Sequence, residues 1–421
     1  MKMKIVHVVT TDFGGAFKAV QRIQESIKFC GVQSNILVRS RFFESDTIEV
    51  MDTPFKQLFS KVRNFLNLLL SHGEVVTDMF GADVSRYPQV QKADVIILHW
   101  ANSFISCSSV RKLAKLQKPL IWVMHDMWAF TGGCHYDAYC GRYEQGCGQC
   151  PYLAGKWNKD ITYWNLKGKR ALFDSVEISF VAISKWEEKC AQGSMALKGK
   201  KITCISNPLD LDVFHPLINR EELRKKHGFM DKKVILFGAD KALENPVKGF
   251  RYLIEALRLL NEEEYVAVCF GKAPEKQKIV LNNMKILYLG SVMDEKVLAE
   301  WYNIADVFVA PSLQESFGYT VCEALACGTP VTAFAVGGIL DQVIHKENGY
   351  LANLYDKKEL ANGILYCIEN RERLGVAARR HVTCYNGYDV VGRQYYELCE
   401  RKLREYYESR SNAGRAGKPD V

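Results

Sequence analysis

Two carboxylates, Glu315 and Glu323, stand with seven residues between them in Pro311-Ser312-Leu313-Gln314-Glu315-Ser316-Phe317-Gly318-Tyr319-Thr320-Val321-Cys322-Glu323. Glu315 falls in a loop after an apolar run, and Glu323 falls one turn into the helix expected past Gly318. A loop opening onto a helix N-terminus offers unpaired backbone N–H groups and the positive end of the helix dipole, which suits a diphosphate. Ionised carboxylates accept hydrogen bonds from hydroxyls, so this pair suits a ligand with hydroxyls at both ends of its diphosphate. Lys248 follows another apolar run and loop, where an ammonium can neutralise a leaving diphosphate. His125 ends the apolar run Trp122-Val123-Met124, and Gly14-Gly15 close the first one, where glycine lets a ligand approach the backbone. Cys134, Cys140, Cys147 and Cys150 are spaced C-x5-C-x6-C-x2-C. Four thiolates this close can hold a tetrahedral structural Zn²⁺, with two disulfides or an iron–sulfur cluster as the alternatives.

The elements that must position these groups alternate. Strand-like apolar runs at 5–9, 34–38, 95–99, 120–124 and 178–183, and again at 234–237, 265–270, 284–289, 307–310 and 330–335, are separated by helical periodicity. That alternation predicts an α/β chain of two Rossmann-like, doubly wound domains facing across a cleft, with ligands at the C-terminal strand ends. The turn chemistry of Asn207-Pro208 places the junction there, giving domains 1–208 and 209–385, with a Cys-rich insertion at 132–152. A C-terminal helix over 386–408 is expected to pack back toward the first domain, followed by a frayed tail at 409–421.

The context of the two glutamates, running on through Gly328-Thr329-Pro330-Val331, Gly337-Gly338-Ile339 and Asn348-Gly349-Tyr350-Leu351, resembles the Glu-x7-Glu signature of the family 4 retaining glycosyltransferases of the GT-B fold. The resemblance covers residues 231–355 and, less closely, 1–130. It implies that Glu315 contacts the transferred sugar near the reacting centre and that Glu323 holds the ribose of the nucleotide. It also implies that the backbone of Phe317, Gly318, Tyr319 and Thr320 meets the donor sugar and phosphates. Lys248 corresponds to the family's phosphate lysine, His125 to its histidine at the donor-sugar and acceptor side, and Gly14 with Gly15 to its N-terminal glycine loop. Family members place an arginine just after the strand at 234–237. This chain has Asp240 and then Lys241, and Lys241 is the expected substitute. The four-cysteine segment is similar to an insertion found in one subgroup. The implied activity is retaining transfer of a sugar from a nucleotide-sugar donor to a glycan or lipid-linked acceptor in surface polysaccharide biosynthesis, with no catalytic metal. A GT-B epimerase and a non-catalytic sugar-nucleotide-binding protein are the alternatives.

Composition sets the outer limits. The chain has 421 residues, 48% hydrophobic and 25% charged, which excludes a disordered or fibrous protein and predicts more than one domain. A net charge of +8 favours anionic partners, but the basic residues form no concentrated patch and no nucleic-acid reader motif, so no nucleic-acid partner is expected. The N-terminal apolar run is too short for a signal peptide, and no run is long enough to span a membrane. A cytoplasmic location with reduced thiols follows as the expectation. Phe55, Leu58, Phe59, Val62, Leu66 and Leu69 predict an amphipathic helix over 55–70, able to lie on an anionic membrane face or to pack as an ordinary surface helix.

Overall fold

A computed structural model describes residues 2–40, 42, 48–50, 61–62, 65–69, 74–77, 79–155, 157–238, 245–260, 264–271, 281 and 284–416. The chain divides into two compact units, residues 1–208 with 388–421, and residues 209–387.

The first unit is built on β1 (Lys4–Thr11), β2 (Gln33–Ser40), β3 (Ile48–Val50), β4 (Val95–Leu98), β5 (Leu120–Met124), β6 (Ser179–Ala182) and β7 (Ile202–Cys204). All pairings are parallel, in the order β3-β2-β1-β4-β5-β6-β7. A parallel sheet carries helices on both faces, so its inner strands are buried on both sides, and β1 is buried from Ile5 to Thr10. The helix Gly15–Lys28 follows β1, and the helix Tyr388–Ala416 packs against it, with Gly392 set directly over the Ser26 carbonyl. This last helix extends to Ala416, past the expected end at 408.

In the second unit, β8 (Lys233–Gly238), β9 (Tyr265–Phe270), β10 (Lys285–Gly290), β11 (Val307–Ala310), β12 (Val331–Phe334) and β13 (Gly349–Ala352) form a parallel sheet in the order β10-β9-β8-β11-β12-β13. In each unit the order reverses beside the first strand, between β1 and β4 and between β8 and β11, which is the topological switch point where open α/β sheets bind ligands. Both units are therefore doubly wound. Strands β3, β7 and β13 were not among the expected runs. Each lies at a sheet edge and has three or four residues, too few to establish a periodicity.

Of the predicted amphipathic helix, residues 61–62 and 65–69 are helical, with Val62, Phe65, Leu68 and Leu69 exposed, while 55–60, 63–64 and 70 lie outside the described residues. No helix among the described residues is long and apolar enough to cross a membrane.

One buried carboxylate ties the second sheet together. Asp306, just ahead of β11, accepts from Arg220 Nη2 at 2.7 Å, from Arg224 Nη1 at 3.0 Å and from the Val234 N–H of β8 at 2.7 Å. Removing one partner of a buried ion pair leaves the other charge uncompensated, at a cost of about 3–5 kcal/mol. Asp306→Asn is therefore expected to lower unfolding stability by an amount in that range, read from urea titration of the full chain.

Candidate functional site

The strand ends of the second unit bring Lys248 and Glu315 together. Lys248 closes the short turn Pro246–Lys248, and its Nζ donates to Glu315 Oε2 at 2.7 Å, while Ser312 Oγ donates to the same oxygen at 3.4 Å. Both side chains keep an outlet to solvent, at 25% exposure for Lys248 and 14% for Glu315. Together with Gly238, Ser312 and Thr320 they line a small cavity of about 30 Å³ at the ends of β8 and β11.

Two backbone contacts fix this loop. Gly249 (φ +65°) lies so close to the Pro311 carbonyl that a Cβ would stand 1.8 Å from its oxygen, and Gly337 (φ +55°) would place one 1.9 Å from the Glu315 carbonyl oxygen. Only glycine fits both the space and the left-handed backbone. The Gly338 N–H donates to the Glu315 carbonyl at 2.8 Å, and the Leu313 N–H donates to the Val247 carbonyl at 2.7 Å. The loop is thus clamped on both sides of Glu315.

Gly318 (φ +87°) ends the loop and opens the helix Tyr319–Ala326, whose first turn has no side-chain cap and no acidic residue. Phe317 is buried, and its carbonyl accepts from Gln342 Nε2. Thr320 and Glu323 fall three apart on one helix face. Glu323 is 3% exposed and does not line the cavity that holds Glu315. Its Oε2 accepts from the hydroxyl of the fully buried Tyr302 at 3.0 Å. Tyr302 and Ser312 are the partners that sequence reasoning missed, because nothing in their spacing relates them to the glutamates. Lys241 lies outside the described residues, as do 239–244 around it.

In the first unit, Gly14 (φ +91°) precedes the helix Gly15–Lys28, with no side-chain cap and nothing within 4 Å of where a Cβ would project. His125 directly follows β5, and it ends a chain of three histidines. His7 Nδ1 lies 2.8 Å from His99 Nε2, and His99 Nδ1 lies 2.9 Å from His125 Nε2. Burial pushes His7 down to about 3 and His125 down to about 4, and it holds His99 well below the ordinary range, so all three are neutral at physiological pH. Sequence reasoning did not single out His7, and His99 stood there only as the end of the expected run 95–99. The available signal was a lone imidazole in each of two apolar strand runs.

Asp126 beside His125 organises the neighbouring loop. Its Oδ2 accepts from Trp100 Nε1 at 2.9 Å and lies 2.8 Å from His135 Nδ1, and its Oδ1 accepts from the Trp128 N–H at 2.8 Å. Burial alone would raise the carboxyl of Asp126. His135 and the donated hydrogen bonds outweigh it and hold the group below the usual carboxylate range.

Cys134, Cys140, Cys147 and Cys150 line one cavity of about 20 Å³, and none forms a disulfide. Among the described residues, no group of three or more His, Cys, Asp or Glu side chains is arranged to hold a metal ion. The segment is shaped by its own hydrogen bonds. Asp137 accepts from the Tyr139 and Gly141 N–H groups, Asp160 from the Cys150 N–H, and Thr162 Oγ1 from the Gly148 N–H. Burial pushes the Cys134 and Cys147 thiols up to about 12.

Residues 219–381 match the family model of the glycosyl transferases group 1. The chain is similar to D-inositol 3-phosphate glycosyltransferase of Xylanimonas cellulosilytica, 34% identical over 197 residues that cover 42% of this chain and 46% of that protein. It thus spans about half the length of the curated relatives it matches. Among solved structures, HepE of Anabaena, in complex with UDP and glucose, aligns with a TM-score of 0.64 at 18% identity, covering 94% of this chain and 99% of that one. Sucrose-phosphate synthase of Thermosynechococcus elongatus aligns with a TM-score of 0.67 at 17% identity, covering 96% and 100%. The chain has the GT-B architecture of two parallel-sheet α/β domains, and the match to the group 1 glycosyl transferases falls within its second unit.

Proposed function

We propose that the chain is a glycosyltransferase that moves a sugar from a nucleotide-sugar donor to a hydroxyl acceptor and retains the anomeric configuration. The observation that carries this reading is the Lys248–Glu315 contact at 2.7 Å, at the ends of β8 and β11, in a cavity shared with Thr320 at the start of an uncapped helix. An ammonium and backbone N–H groups at one point suit a diphosphate, and a carboxylate at the same point suits the sugar hydroxyls attached to it. The family match at residues 219–381 and the relatives named as glycosyltransferases support the assignment, as does the binding of UDP and glucose by a protein of the same fold.

In the mechanism we assign, charge builds on the departing diphosphate. The N–H groups of the helix Tyr319–Ala326, already in place, stabilise it together with Lys248, which turns from Glu315 to the diphosphate. Glu315 orients the transferred sugar, and Glu323 takes the ribose of the nucleotide by exchanging or sharing its hydrogen bond with Tyr302. The acceptor hydroxyl arrives on the face the diphosphate leaves, and the departing oxygen takes its proton. Gly14, Gly15 and His125 are the candidates of the first unit for the acceptor and the transferred sugar. A glycan or lipid-linked acceptor of surface polysaccharide synthesis, a cytoplasmic location and peripheral contact with an anionic membrane complete the proposal. The +8 charge and the exposed Phe65, Leu68 and Leu69 support the membrane contact.

Screening nucleotide sugars by thermal shift tests the donor class, because a ligand that binds only the folded state stabilises it by about 2.7 kcal/mol at a hundred times its Kd. A rise in Tm with one nucleotide sugar, and none with the free sugar, is expected. Lys248→Ala should then lower kcat by about 10²- to 10³-fold, the usual cost of losing one group that stabilises developing charge. Glu315→Gln should act in two directions. Turnover falls sharply, while the nucleoside diphosphate binds more tightly, because Lys248 is released from its partner and one negative charge leaves the phosphate site. Transfer at the parental rate by both Glu315→Gln and Glu323→Gln would overturn the assignment.

A further inference from the structure

The three buried histidines of the first unit lie on one diagonal of the sheet. In the register, His7 of β1 sits opposite Ile97 of β4, and Leu98 of β4 sits opposite Trp122 of β5. Because side chains alternate between faces, His7, His99 and His125 all project to the same face. Each stands two positions further toward the C-terminal strand ends than the one before. The rings lie near parallel, 24° and 29° apart, with centroids at 5.1 and 5.2 Å. His7 and His99 are closed off from solvent, whereas His125 is partly exposed. At the closed end, His7 Nε2 has no hydrogen-bond partner among the described residues.

Three neutral imidazoles joined by two hydrogen bonds allow only two proton arrangements, since each ring carries one N–H and each bond needs one. In the first, every ring is protonated at Nδ1, so His7 donates to His99, His99 donates to His125, and His125 Nδ1–H points onward. In the second, every ring is protonated at Nε2, the bonds reverse, and His125 offers a bare Nδ1. The arrangements differ at the closed end: the second buries an N–H of His7 with nothing to accept it, and the first leaves only a lone pair. Orphaned buried N–H groups are the rarer of the two in folded proteins. Lys28 near His7 and Asp126 near His125 are the charged groups that act on the ends of the chain, and burial outweighs both.

We propose that His7 and His99 are positioning residues that fix His125 as the Nδ1–H tautomer, so that its ring presents a hydrogen-bond donor at the open end of the chain. With the glycosyltransferase reading, on which this role rests, the donor serves an oxygen of the transferred sugar or the acceptor. His125 then orients that oxygen and takes no proton from it.

The test is ¹⁵N NMR of the full chain labelled at histidine, which separates Nδ1–H from Nε2–H rings. The expected result is a single Nδ1–H form for His125 that is unchanged between pH 6 and pH 8. An Nε2–H ring, or an averaged signal, overturns the proposal. In His99→Phe, water can reach the Nε2 of the partly exposed His125, and its signal should move toward the Nε2–H form that the neutral side chain of free histidine prefers. A signal that stays in place shows that the chain does not set the tautomer. If His99→Phe does not fold, the spectrum of the unaltered protein decides alone. His125→Ala separates this inference from the functional reading: a fixed Nδ1–H tautomer together with an unchanged transfer rate would leave the tautomer lock standing and remove His125 from the site.

Discussion

The candidate site depends on a close approach of backbone to backbone. Glu315 sits in a loop whose carbonyls at Pro311 and Glu315 face Gly249 and Gly337, at distances that leave no room for a side chain. That double clamp sets where the carboxylate stands, and Gly249 belongs to the same turn that carries Lys248. The ion pair therefore does not depend on two long side chains finding each other in solvent, which would make it worth little. Its geometry follows from the packing of the segments beneath it, and those segments are anchored through Asp306 to the base of the same strands.

This arrangement explains how much could be read from residue order alone. Buried parallel strands give long apolar runs, so β1, β4, β5, β8, β9 and β11 were evident. Edge strands of three or four residues, such as β3, β7 and β13, leave no pattern. Glu315, Gly318 and Glu323 were visible because they lie in one continuous segment between a strand and a helix. The partners of the glutamates were not visible: Lys248 lies 67 positions from Glu315, and Tyr302 lies 21 from Glu323, so both contacts exist only once the strands are in order. The cysteine segment shows a different gap. Its spacing points to a metal site but gives no sign that Asp137 and Asp160 accept from backbone N–H groups and shape the loop. A spacing rule sees the sulfurs and not the carboxylates that hold the loop.

The two units place charge by opposite rules, and each suits the task proposed for it. In the second unit, Lys248 and Glu315 keep an outlet to water, so the pair can open when a more highly charged anion arrives. A fully buried pair could not be exchanged in this way, because separating it would strand a charge in a low-dielectric interior. In the first unit, His7 and His99 are closed off from solvent and His125 only partly exposed, and desolvation makes neutrality the cheapest state for all three. A neutral imidazole cannot attract a diphosphate, but it can point a hydrogen bond with a fixed sense. Strong attraction is thus kept where the donor phosphates are proposed to bind, and direction without charge is kept where a hydroxyl must be aligned.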